Sequence, residues 1–433
     1  MDLSKRDYVN EVIKKKDNSK VIVAGWIQKI KLMGNLSFIE LRDRTGTLQI
    51  VAKGFNDIGK LTPESVIIAS GLIKQGQKKS GEKELILEDY ELVNKAETPL
   101  PIDLVQDTTQ LDKRLDYRFL DLRKPRNLLI FKIITYLQGA MRSFFIEEGF
   151  IEMNSPKLMA SASESGSELF KVDYFGKKAY LAQSPQFYKQ MAMSAGFEKV
   201  FEIAPAFRAN PSHTTRHDTE FTMVDVEISW ISSFEDLLKF EERWLQFCFK
   251  EIKDKFGKEI KSMFNVEINV PEIPFPRITM EETHKILKNS YDKKFDKDDD
   301  LDPSGEKFIC DYVKKKYNHE FAFITKFPWK IRPFYHMRPE DKSLTESFDL
   351  LFKGLEITTG AQREHRLKIL EEQAKEKGIK LKEIDYYLDF FRYGCPPHGG
   401  FALSPTRVVM SMLNLGNVRE ATYLPRDTER LTP

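Results

Sequence analysis

The chain has few cysteines and no excess of charge of either sign. Its 433 residues include only three cysteines, Cys248, Cys310 and Cys395, which lie far apart and without CxxC spacing. This pattern argues against a disulfide framework and against a cysteine-based zinc site. The 68 basic residues are balanced by 66 acidic residues, so a nucleic-acid partner would have to bind local basic patches rather than a global positive field.

Long apolar runs are also missing. No stretch approaches the roughly 18 consecutive apolar residues of a membrane span. The first residues, MDLSKRDYVNEVIKKK, contain no apolar signal core,. We therefore expect a cytoplasmic protein that does not associate with a membrane.

Residues 20–95 alternate between apolar and polar positions as β-strands do. Turns that contain glycine separate five such runs, Val21–Trp26, Leu36–Leu41, Thr47–Val51, Val66–Leu72 and Leu85–Val93,. Five short strands in so few residues predict a small all-β barrel, of which the OB-fold is one kind. A connector rich in proline and charge follows, and we place the domain boundary near residue 104.

The remainder of the chain predicts one α+β domain, because longer helical segments mix with strands from Leu128 onward,. Residues 275–320 have the pattern of a helical insertion. The acidic run Asp296–Asp302 within it lacks the glycine and the terminal glutamate of an EF-hand loop,. We therefore expect a solvated loop there and no calcium site.

Residues 207–221, FRANPSHTTRHDTEF, carry the strongest functional signal. Apolar runs at 200–206 and 221–231 flank them, which predicts a strand–loop–strand hairpin,. It would place Arg208 at a strand end and the cations Arg216 and His217 on a mobile loop. A planar guanidinium with flexible charges beside it suits a polyphosphate. Taken alone, a solvated basic loop explains the pattern more economically.

Four other features accompany this hairpin. Polar residues interrupt the apolar pattern in segments 163–168, 183–190, 348–363 and 396–407. In the third segment Asp349 and Glu356 stand in an apolar strand context. Carboxylates in such a place could hold Mg²⁺ against phosphate oxygens.

At these separations the segments together resemble the class II aminoacyl-tRNA synthetases, specifically the aspartyl enzymes of the archaeal and eukaryotic type. The resemblance runs nearly end to end, from the hinge RFLDLR at 118–123 to the closing LPRDTERLTP at 424–433. It makes 149–156 the dimer element called motif 1, 207–221 motif 2, and 399–407 motif 3.

This resemblance implies a fold and an activity. The fold is α+β, a class II antiparallel sheet flanked by helices, with an N-terminal all-β OB-fold barrel. The implied domains are 1–103 for anticodon binding, 104–130 as a hinge and 131–433 for catalysis. A homodimer would activate L-aspartate with ATP and Mg²⁺ and transfer it to the 3′ end of the aspartate tRNA.

The resemblance also assigns roles to residues of the nucleotide site. Arg208 would stabilise charge on the α-phosphate and meet the incoming carboxylate, where charge develops in the reaction. Arg216 and His217 would hold the β- and γ-phosphates. The implied adenine-stacking pair is Phe221 and Arg407, and the implied metal ligands are Asp349, Glu356 and Thr359.

The aspartate site is implied in the same way. Lys189 and Arg363 would bind the side-chain carboxylate, a site in which neutral asparagine leaves a cation unpaired. Residues implied around the ammonium group and pocket are Glu164, Gln186, Asp225 and Thr359, with 163–168 as a closing loop. Asp225 could instead support Lys189. Three histidines near the motifs, His336, His365 and His398, are open to a functional or a structural role.

In the barrel, the resemblance puts Phe38 under a stacked base and Gln49 on a base edge, as OB-folds bind single-stranded loops. Glu88 is the candidate for the remaining base. Trp26 favours strict specificity for the aspartate tRNA over charging of the asparagine tRNA as well.

Some positions depart from the family pattern. Motif 2 has Asn210 where the family has glutamate. Motif 3 has Ala402, Ser404 and Thr406 where the family has Gly, Gly and Glu, with Pro405 in the turn. Side chains at 402 and 404 should crowd the adenosine, because glycine permits closer approach. Two alternatives therefore stay open: an asparaginyl-tRNA synthetase, and an RNA-binding paralogue with weak or no charging activity.

Overall fold

The computed structural model describes residues 1–76, 82–106, 108–160, 169–211, 214–293, 295–296 and 298–433. The chain separates into two compact units, Met1–Asp103 and Leu104–Pro433. Each is described by itself.

The first unit is a closed barrel of five strands in the order β1-β2-β3-β5-β4. Its elements are helix α1 (Val9–Val12) and strands β1 (Lys20–Met33), β2 (Leu36–Arg42), β3 (Thr47–Lys53), β4 (Val66–Gln75) and β5 (Lys83–Asn94). Alternate residues such as Val21 and Val23 are buried inside, because successive side chains of a strand point to opposite faces. The predicted five-stranded barrel is confirmed.

The second unit is built on an eight-stranded sheet in the order β12-β13-β14-β15-β16-β11-β10-β6, with a small sheet β7-β9-β8 beside it. The strands are β6 (Ile151–Glu152), β7 (Leu158–Met159), β8 (Lys171–Tyr174), β9 (Lys177–Leu181), β10 (Lys199–Phe207), β11 (Glu220–Ser229), β12 (Arg277–Thr279), β13 (Phe321–Thr325), β14 (Ser347–Phe352), β15 (Leu355–Gln362) and β16 (His398–Leu403). The six central strands pair antiparallel, and only the edge strands β6 and β12 pair parallel with their neighbours.

Helices flank this sheet. They are α2 (Leu111–Asp116), α3 (Arg118–Asp121), α4 (Pro125–Glu147), α5 (Gln186–Ser194), α6 (Glu235–Phe264), α7 (Met280–Tyr291), α8 (Pro303–Tyr317), α9 (Leu367–Glu376), α10 (Asp385–Arg392) and α11 (Pro405–Met412). Aromatic contacts tie α4 and α6 to the sheet: the Phe145 ring lies 4.7 Å from Phe201 and 4.9 Å from Trp244 between centroids. The predicted α+β fold, an antiparallel sheet flanked by helices, is confirmed.

By length and composition alone, α4 could cross a membrane, and 44% of its most apolar stretch is buried. Its buried residues, including Ile133, Leu137, Met141 and Phe145, belong to the main core of the unit. A core helix of a soluble protein passes the same test. The burial of α4 therefore accounts for its apolar composition.

The predicted insertion at 275–320 contains a strand as well as helices. Strand β12 pairs with β13 and extends the main sheet, and α7 and α8 follow it. Asp302, at the end of the acidic run, caps α8 by accepting a hydrogen bond from Gly305 N at 2.7 Å. A carboxylate at a helix N-terminus satisfies otherwise unpaired backbone donors, which gives this residue a structural role.

Candidate active site and RNA-binding face

The centre of the large sheet forms the floor of a cavity of about 320 Å³. It is bounded by α5, the hairpin of β10 and β11, strands β15 and β16, the start of α11 and the segment 331–336. Its lining residues are Ser184, Gln186, Lys189, Arg208, Phe221, Met223, Asp225, Ile331, Arg332, Pro333, Tyr335, His336, Glu356, Ile357, Thr359, Arg363, Ala402, Ser404 and Arg407. The fold thus brings together residues that lie more than 200 positions apart in the sequence.

One end of the cavity is formed by the hairpin predicted at 207–221, which is confirmed. Phe207 on β10 pairs with Glu220 on β11. Arg208 N donates a hydrogen bond to Thr219 O at 2.9 Å, which continues the pairing by one residue. The exposed Arg208 guanidinium lies 5.5 Å from the centroid of the Phe221 ring. This end therefore presents a solvent-accessible cation beside an aromatic face.

The opposite end contains a buried lysine. Lys189, on α5, is 1% exposed, and its Nζ lies 3.1 Å from Asp225 Oδ1 and 3.3 Å from Glu227 Oε2. It also donates to the carbonyl oxygens of Val226 and Phe401 at 3.3 and 3.4 Å. Asp225 thus contacts Lys189, as one of the two sequence-based alternatives predicted, while also lining the cavity.

Arg363, at the end of β15, shares Glu227 with that lysine. Its Nε donates to Glu227 Oε1 at 3.0 Å, and its Nη2 donates to Gly400 O at 3.0 Å. Its Nη1 donates to His336 Nε2 at 3.2 Å. Since Nε2 of His336 accepts this bond, the ring carries its proton on Nδ1. Burial beside Arg363 keeps the pKa of His336 well below its ordinary value, so the imidazole is neutral.

The pKa values of the two carboxylates at this end, Asp225 and Glu227, shift in opposite directions. Burial raises the pKa of Asp225, and Lys189 opposes this only in part. Burial acts on Glu227 as well, but Arg363 and Lys189 together hold its pKa below the ordinary value. Glu227 is therefore the firmly ionised partner of both cations. A carboxylate shared in this way fixes the two cations relative to each other, since unpairing either one inside the protein is costly.

The middle of the cavity contains a second carboxylate cluster on β14 and β15. The Thr359 hydroxyl donates to Glu356 Oε1 at 3.1 Å, and Arg407 Nη1 lies 3.7 Å from the same oxygen. Burial would raise the pKa of Glu356, yet Arg407 and the Thr359 hydroxyl keep it below its ordinary value. Glu356 is consequently ionised in the cavity.

Asp349, predicted as a metal ligand, lies behind the lining and is ion-paired. Its Oδ2 lies 2.7 Å from Arg332 Nη2, and its Oδ1 has no hydrogen-bond partner in the described part of the chain. Burial raises the pKa of Asp349 to about 7; Arg332 opposes the shift, and the Glu356 charge adds to it. An ionised carboxylate, Glu356, beside a second one, Asp349, whose pKa it raises and which has an unsatisfied buried oxygen, is a donor set that a divalent cation fits,.

The barrel of the first unit has a cavity of its own, of about 670 Å³. Phe38, Gln49 and Glu84 are among its lining residues, together with Lys29 and Lys31. Gln49 Nε2 donates to Glu84 Oε1 at 2.7 Å, which orients the amide. This cavity thus combines an aromatic ring, an oriented amide and basic side chains. Such groups are typical of surfaces that bind single-stranded nucleic acid.

The two units match two known protein families. Residues 110–428 match the family described as tRNA synthetases class II (D, K and N), and residues 21–93 match the OB-fold nucleic acid binding domain. The chain belongs to the class II tRNA synthetases. The synthetase family predicted from the sequence is confirmed.

Relatives of this synthetase are similar along its whole length. It is 43% identical to the aspartate–tRNA(Asp) ligase of Pyrococcus abyssi, with 98% of this chain and 99% of that protein covered. It is 39% identical to the aspartate–tRNA(Asp/Asn) ligase of Aeropyrum pernix, over the same shares of both chains.

Solved structures of two specificities are also similar to the synthetase. Asparaginyl-tRNA synthetase from Pyrococcus horikoshii, complexed with asparaginyl-adenylate, has a TM-score of 0.92 and 32% identity, with 99% of both chains covered. Aspartyl-tRNA synthetase from Entamoeba histolytica has a TM-score of 0.88 and 30% identity, with 99% of this chain and 93% of that chain covered.

Two predicted phosphate-binding residues of the synthetase lie outside the cavity. Among the described loop residues, Arg208 lines it, whereas Arg216 and His217 do not. Arg216 Nη1 contacts both carboxylate oxygens of Glu306, on α8, at 2.8 Å. Burial, followed by the charges of Arg407 and Arg216, lowers the pKa of His217 to about 4, so this ring is neutral near pH 7.

The departures in motif 3 occur where the backbone accepts a side chain. Ser404 has φ −96° and caps α11, accepting a hydrogen bond from Arg407 N at 3.4 Å. The glycines that remain are needed: a Cβ at Gly400 would clash with Val226 O and the Glu227 carboxylate. The expected crowding of the nucleotide at 404 is thus offset by a structural gain, since serine is among the best helix caps.

Two further predicted residues, Glu88 and Trp26, do not line the barrel cavity. Glu88 ion-pairs instead with Lys20 at 2.9 Å. Glu164 and the whole of its loop, 163–168, fall outside the described residues. Of the histidines, His336 lines the catalytic cavity, and His365 does not.

His398 is buried behind the cavity and supports one of its walls. Its Nε2 lies 3.0 Å from Gln190 Nε2, and its Nδ1 lies 2.8 Å from Pro396 O. Gln190 in turn accepts a hydrogen bond from Gln186 Nε2 at 2.9 Å. Because an amide nitrogen only donates, His398 accepts at Nε2 and donates from Nδ1. A neutral His398 thereby holds Gln186 in place.

The sequence argument missed Glu227, Arg332 and Glu306. Glu227 and Asp225 are two residues apart on β11 and so share one face of a strand. Two acids on one face of the apolar run VDVEIS were the available signal. Glu306 gave no such signal, because it lies in a charged helix that reads as solvent-exposed.

Proposed function

We propose that this synthetase is an aspartate–tRNA ligase, which activates L-aspartate with ATP and transfers it to the 3′ end of the aspartate tRNA. The observation that carries the proposal is the buried pair of cations, Lys189 and Arg363, at one end of the cavity. A buried ammonium and a buried guanidinium at this place are donors suited to a carboxylate ligand. The aspartate-specific names of its relatives at 39–43% identity support the same choice.

Aspartate would enter with its side-chain carboxylate toward Lys189 and Arg363. Its ammonium group would then face Asp225 and Gln186, which line the same part of the cavity. Since Asp225 and Glu227 already balance the two cations, the bound carboxylate is favoured by fixed donors rather than by excess charge. Fixed buried donors discriminate strongly against an analogue that leaves them unpaired.

ATP would occupy the end of the cavity formed by the β10–β11 hairpin. The adenine would stack between Phe221 and Arg407, and Arg208 would contact the α-phosphate,. An α-carboxylate oxygen of aspartate would attack the α-phosphorus of ATP. The new oxygen–phosphorus bond forms as the bond between the α-phosphorus and the bridging oxygen of the leaving pyrophosphate breaks. Arg208 neutralises the charge that develops on the phosphoryl oxygens. In the second step a ribose hydroxyl of the tRNA attacks the activated carbonyl and releases AMP.

The residues that would hold Mg²⁺ are Glu356, Asp349 and Thr359. Within the described ranges, no group of three or more His, Cys, Asp or Glu side chains could hold a metal ion alone, so phosphate oxygens and waters would complete the coordination, as Mg²⁺ prefers. The ion supplies positive charge to the phosphates of ATP. Held beside Asp349, whose Oδ1 has no hydrogen-bond partner among the described residues, the ion would offset the negative charges of Asp349 and Glu356.

The barrel would bind the anticodon loop. Phe38 would stack on one base, and Gln49, held by Glu84, would contact the edge of another,. We assign to Glu84 the part first predicted for Glu88, because Glu84 lines the cavity and Glu88 does not. Trp26 keeps its predicted role in favouring the aspartate tRNA over the asparagine tRNA.

We further propose a cytoplasmic homodimer that forms through motif 1. Strand β6 is the edge of the large sheet, and the neighbouring side chains of Ile146 and Ile151 are 60% and 46% exposed. Exposed apolar residues at a sheet edge are typical of an interface. Light scattering of the wild-type protein should give the dimer mass, and Ile151→Lys should give the monomer mass.

ATP–pyrophosphate exchange tests the proposed activity. Exchange should depend on aspartate and be absent with asparagine. Dependence on asparagine alone would show an asparaginyl-tRNA synthetase, which the similarity to the Pyrococcus horikoshii structure makes the second candidate. No exchange with either amino acid, together with tight tRNA binding, would show an RNA-binding paralogue. Charging of purified aspartate and asparagine tRNAs then decides the tRNA specificity.

A further inference from the structure

The loop of motif 2 is held from outside the cavity by residues 417–427, which we call the C-terminal strap. Val418 N donates to Thr215 O, and Thr219 N donates to Arg426 O, both at 2.8 Å. The Thr422 hydroxyl donates to Asp218 Oδ2, also at 2.8 Å. These contacts bracket Arg216 and His217. The strap therefore sets where the returning half of the loop lies.

The strap is in turn held mainly by a buried arginine, Arg118, at the start of α3, while the neighbouring Arg114 ion-pairs with Glu420 of the strap at 3.6 Å. Its Nη2 lies 3.3, 3.0 and 2.8 Å from the carbonyl oxygens of Arg419, Glu420 and Thr422, and its Nε lies 3.2 Å from Tyr423 O. Four carbonyl groups of one turn thus converge on one guanidinium. An arginine can do this because it presents five donors in a rigid, planar fork.

Arg118 is itself fixed from behind. Its Nη1 lies 2.7 Å from Asp121 Oδ2, and Arg114 Nε lies 2.8 Å from Asp121 Oδ1. Arg118 is 1% exposed, and Asp121 is fully buried. The guanidinium is also 5.5 Å from the centroid of the Phe131 ring on α4. The position of Arg118 therefore follows α4, the long core helix under the sheet, and not the solvent-exposed loop.

We propose that Arg118 is a positioning residue for ATP: through the strap, it places the part of the motif 2 loop that carries Arg216 and His217. The inference rests on the proposed function only in taking ATP as the ligand of this loop. The chain of contacts runs from Arg118 to the strap carbonyls, from Thr422 to Asp218, and from Asp218 to the adjacent His217. It does not touch Lys189, Arg363 or any other residue at the amino-acid end.

Direct ATP binding to Arg118→Lys and Thr422→Val, measured by calorimetry without amino acid, tests the inference. Lysine keeps the charge but cannot span four carbonyls, so we expect the dissociation constant of ATP to rise by about tenfold. Thr422→Val removes one strap–loop hydrogen bond and should raise it about threefold. The KM for aspartate in exchange should change less than twofold in both variants.

Arg277→Lys is the matched control, because Arg277 ion-pairs with Glu242 on the far edge of the same sheet and touches neither the strap nor the loop. Its affinity for ATP should equal that of the wild type. Unchanged ATP affinity in the two test variants would overturn the inference, and so would equal losses of ATP and aspartate affinity. If Arg118→Lys fails to fold, Thr422→Val decides alone. Failure of the wild-type protein to exchange with aspartate would refute the proposed function and leave this test standing, because ATP binding is read without amino acid.

Discussion

The two ends of the catalytic cavity hold their cations in opposite ways. At the amino-acid end, Lys189 and Arg363 are buried and share the fully buried Glu227. At the nucleotide end, Arg208 is exposed at a strand end, and Arg216 sits on a loop, paired with Glu306. The cations of the first end are fixed by packing in and against the sheet. Those of the second end lie on the motif 2 hairpin and its loop, which other segments of the chain hold in place.

This difference suits the ligands proposed for the two ends. A site that distinguishes aspartate from asparagine needs donors that cannot relax around the wrong ligand, and burial in a packed sheet supplies that rigidity. A site for a polyphosphate must admit a long, highly charged ligand and later release pyrophosphate. An exposed cation is hydrated again when pyrophosphate leaves, so its ion pair with phosphate is easily broken. Variants at the two ends should therefore differ in which substrate they affect and in whether stability changes.

The largest effect is expected from Lys189→Met. Truncating a buried, hydrogen-bonded charge in a binding site costs about 3–4 kcal/mol of binding, so kcat/KM for aspartate should fall by about 10² to 10³. The KM for ATP should change less than about threefold, because Lys189 contacts no nucleotide-end residue. Exchange kinetics with each substrate varied in turn measure both quantities. Equal losses for the two substrates would mean that Lys189 is only structural.

Lys199→Met is the matched control for this variant. Lys199 lies on the neighbouring strand β10 and donates to Glu148 O at 3.0 Å, away from the cavity. Its removal should leave both KM values at their wild-type level. A loss of aspartate affinity here would show that the loss of a lysine elsewhere in this unit also disturbs the site.

The next largest effect is expected from Arg208→Ala, which should lower the rate of catalysis without changing stability. Removing one preorganised donor to a developing oxyanion costs about 10² to 10³ in rate, and exchange should fall accordingly. Since Arg208 is exposed, the midpoint of thermal unfolding and the binding of tRNA should stay at wild-type values. Retained exchange would disprove its assignment to the α-phosphate, and Arg208→Lys should recover part of the lost rate.

The pH dependence of stability and of substrate binding offers a further comparison, because His398 lies near one end of the cavity and His217 near the other. Burial lowers the pKa of each to about 4, from an ordinary value of 6.5. The unfolded chain therefore binds more protons between pH 4 and 6.5, so stability rises with pH over this window and is lost as pH falls through it. At pH 5 the buried His398 should cost about 2 kcal/mol relative to pH 7. Urea unfolding of His398→Asn should show a correspondingly weaker pH dependence.

The two histidines should differ in which substrate senses the acid. Protonated His398 can no longer accept from Gln190, and the hydrogen bonds that hold Gln186 are then disturbed. Because the pKa of His398 is about 4, the ring stays mostly neutral in the folded enzyme at pH 5. In the wild type, the KM for aspartate should therefore rise only as the pH falls to about 4, and in His398→Asn this rise should be smaller. His217→Asn is the matched comparison and should keep the wild-type rise. If the rise in KM for aspartate disappears in His217→Asn, the pH dependence comes from the nucleotide end and the assignment to His398 is wrong.

The barrel and the buried carboxylates were predictable from simple periodicity, because the five barrel strands alternate cleanly and Asp349 and Glu356 stand out as charges inside an apolar run. The assignment of Lys189 and Arg363 came instead from the family resemblance. Glu88 was assigned from the family resemblance and not from periodicity. It ion-pairs with Lys20 and does not line the barrel cavity, and its contact with a base stays a prediction. A β-bulge skips it, because Ser70 pairs with Asp89 and Gly71 with Leu87,. No periodicity in the sequence reports such an irregularity.

Contacts between distant segments were equally out of reach. Arg216 was predicted from its own loop to hold phosphates, whereas its present partner, Glu306, comes from a helix 90 residues further along the chain. The capping role of Ser404 was likewise out of reach, since only the structure shows that position 404 has an ordinary backbone conformation and begins a helix. Whether Ser404 also crowds the nucleotide stays a prediction.

The smallest effect is therefore expected from Ser404→Ala. Its side chain caps α11, and loss of such a cap costs about 1 kcal/mol of unfolding free energy, whereas replacement by glycine costs only a few tenths. Ser404→Gly, the family residue, is the matched control and should be nearly as stable as the wild type. Chemical unfolding and ATP binding measure both variants. If either variant binds ATP more than about threefold tighter, Ser404 crowds the nucleotide after all, and the departure in motif 3 lowers the affinity of the nucleotide end.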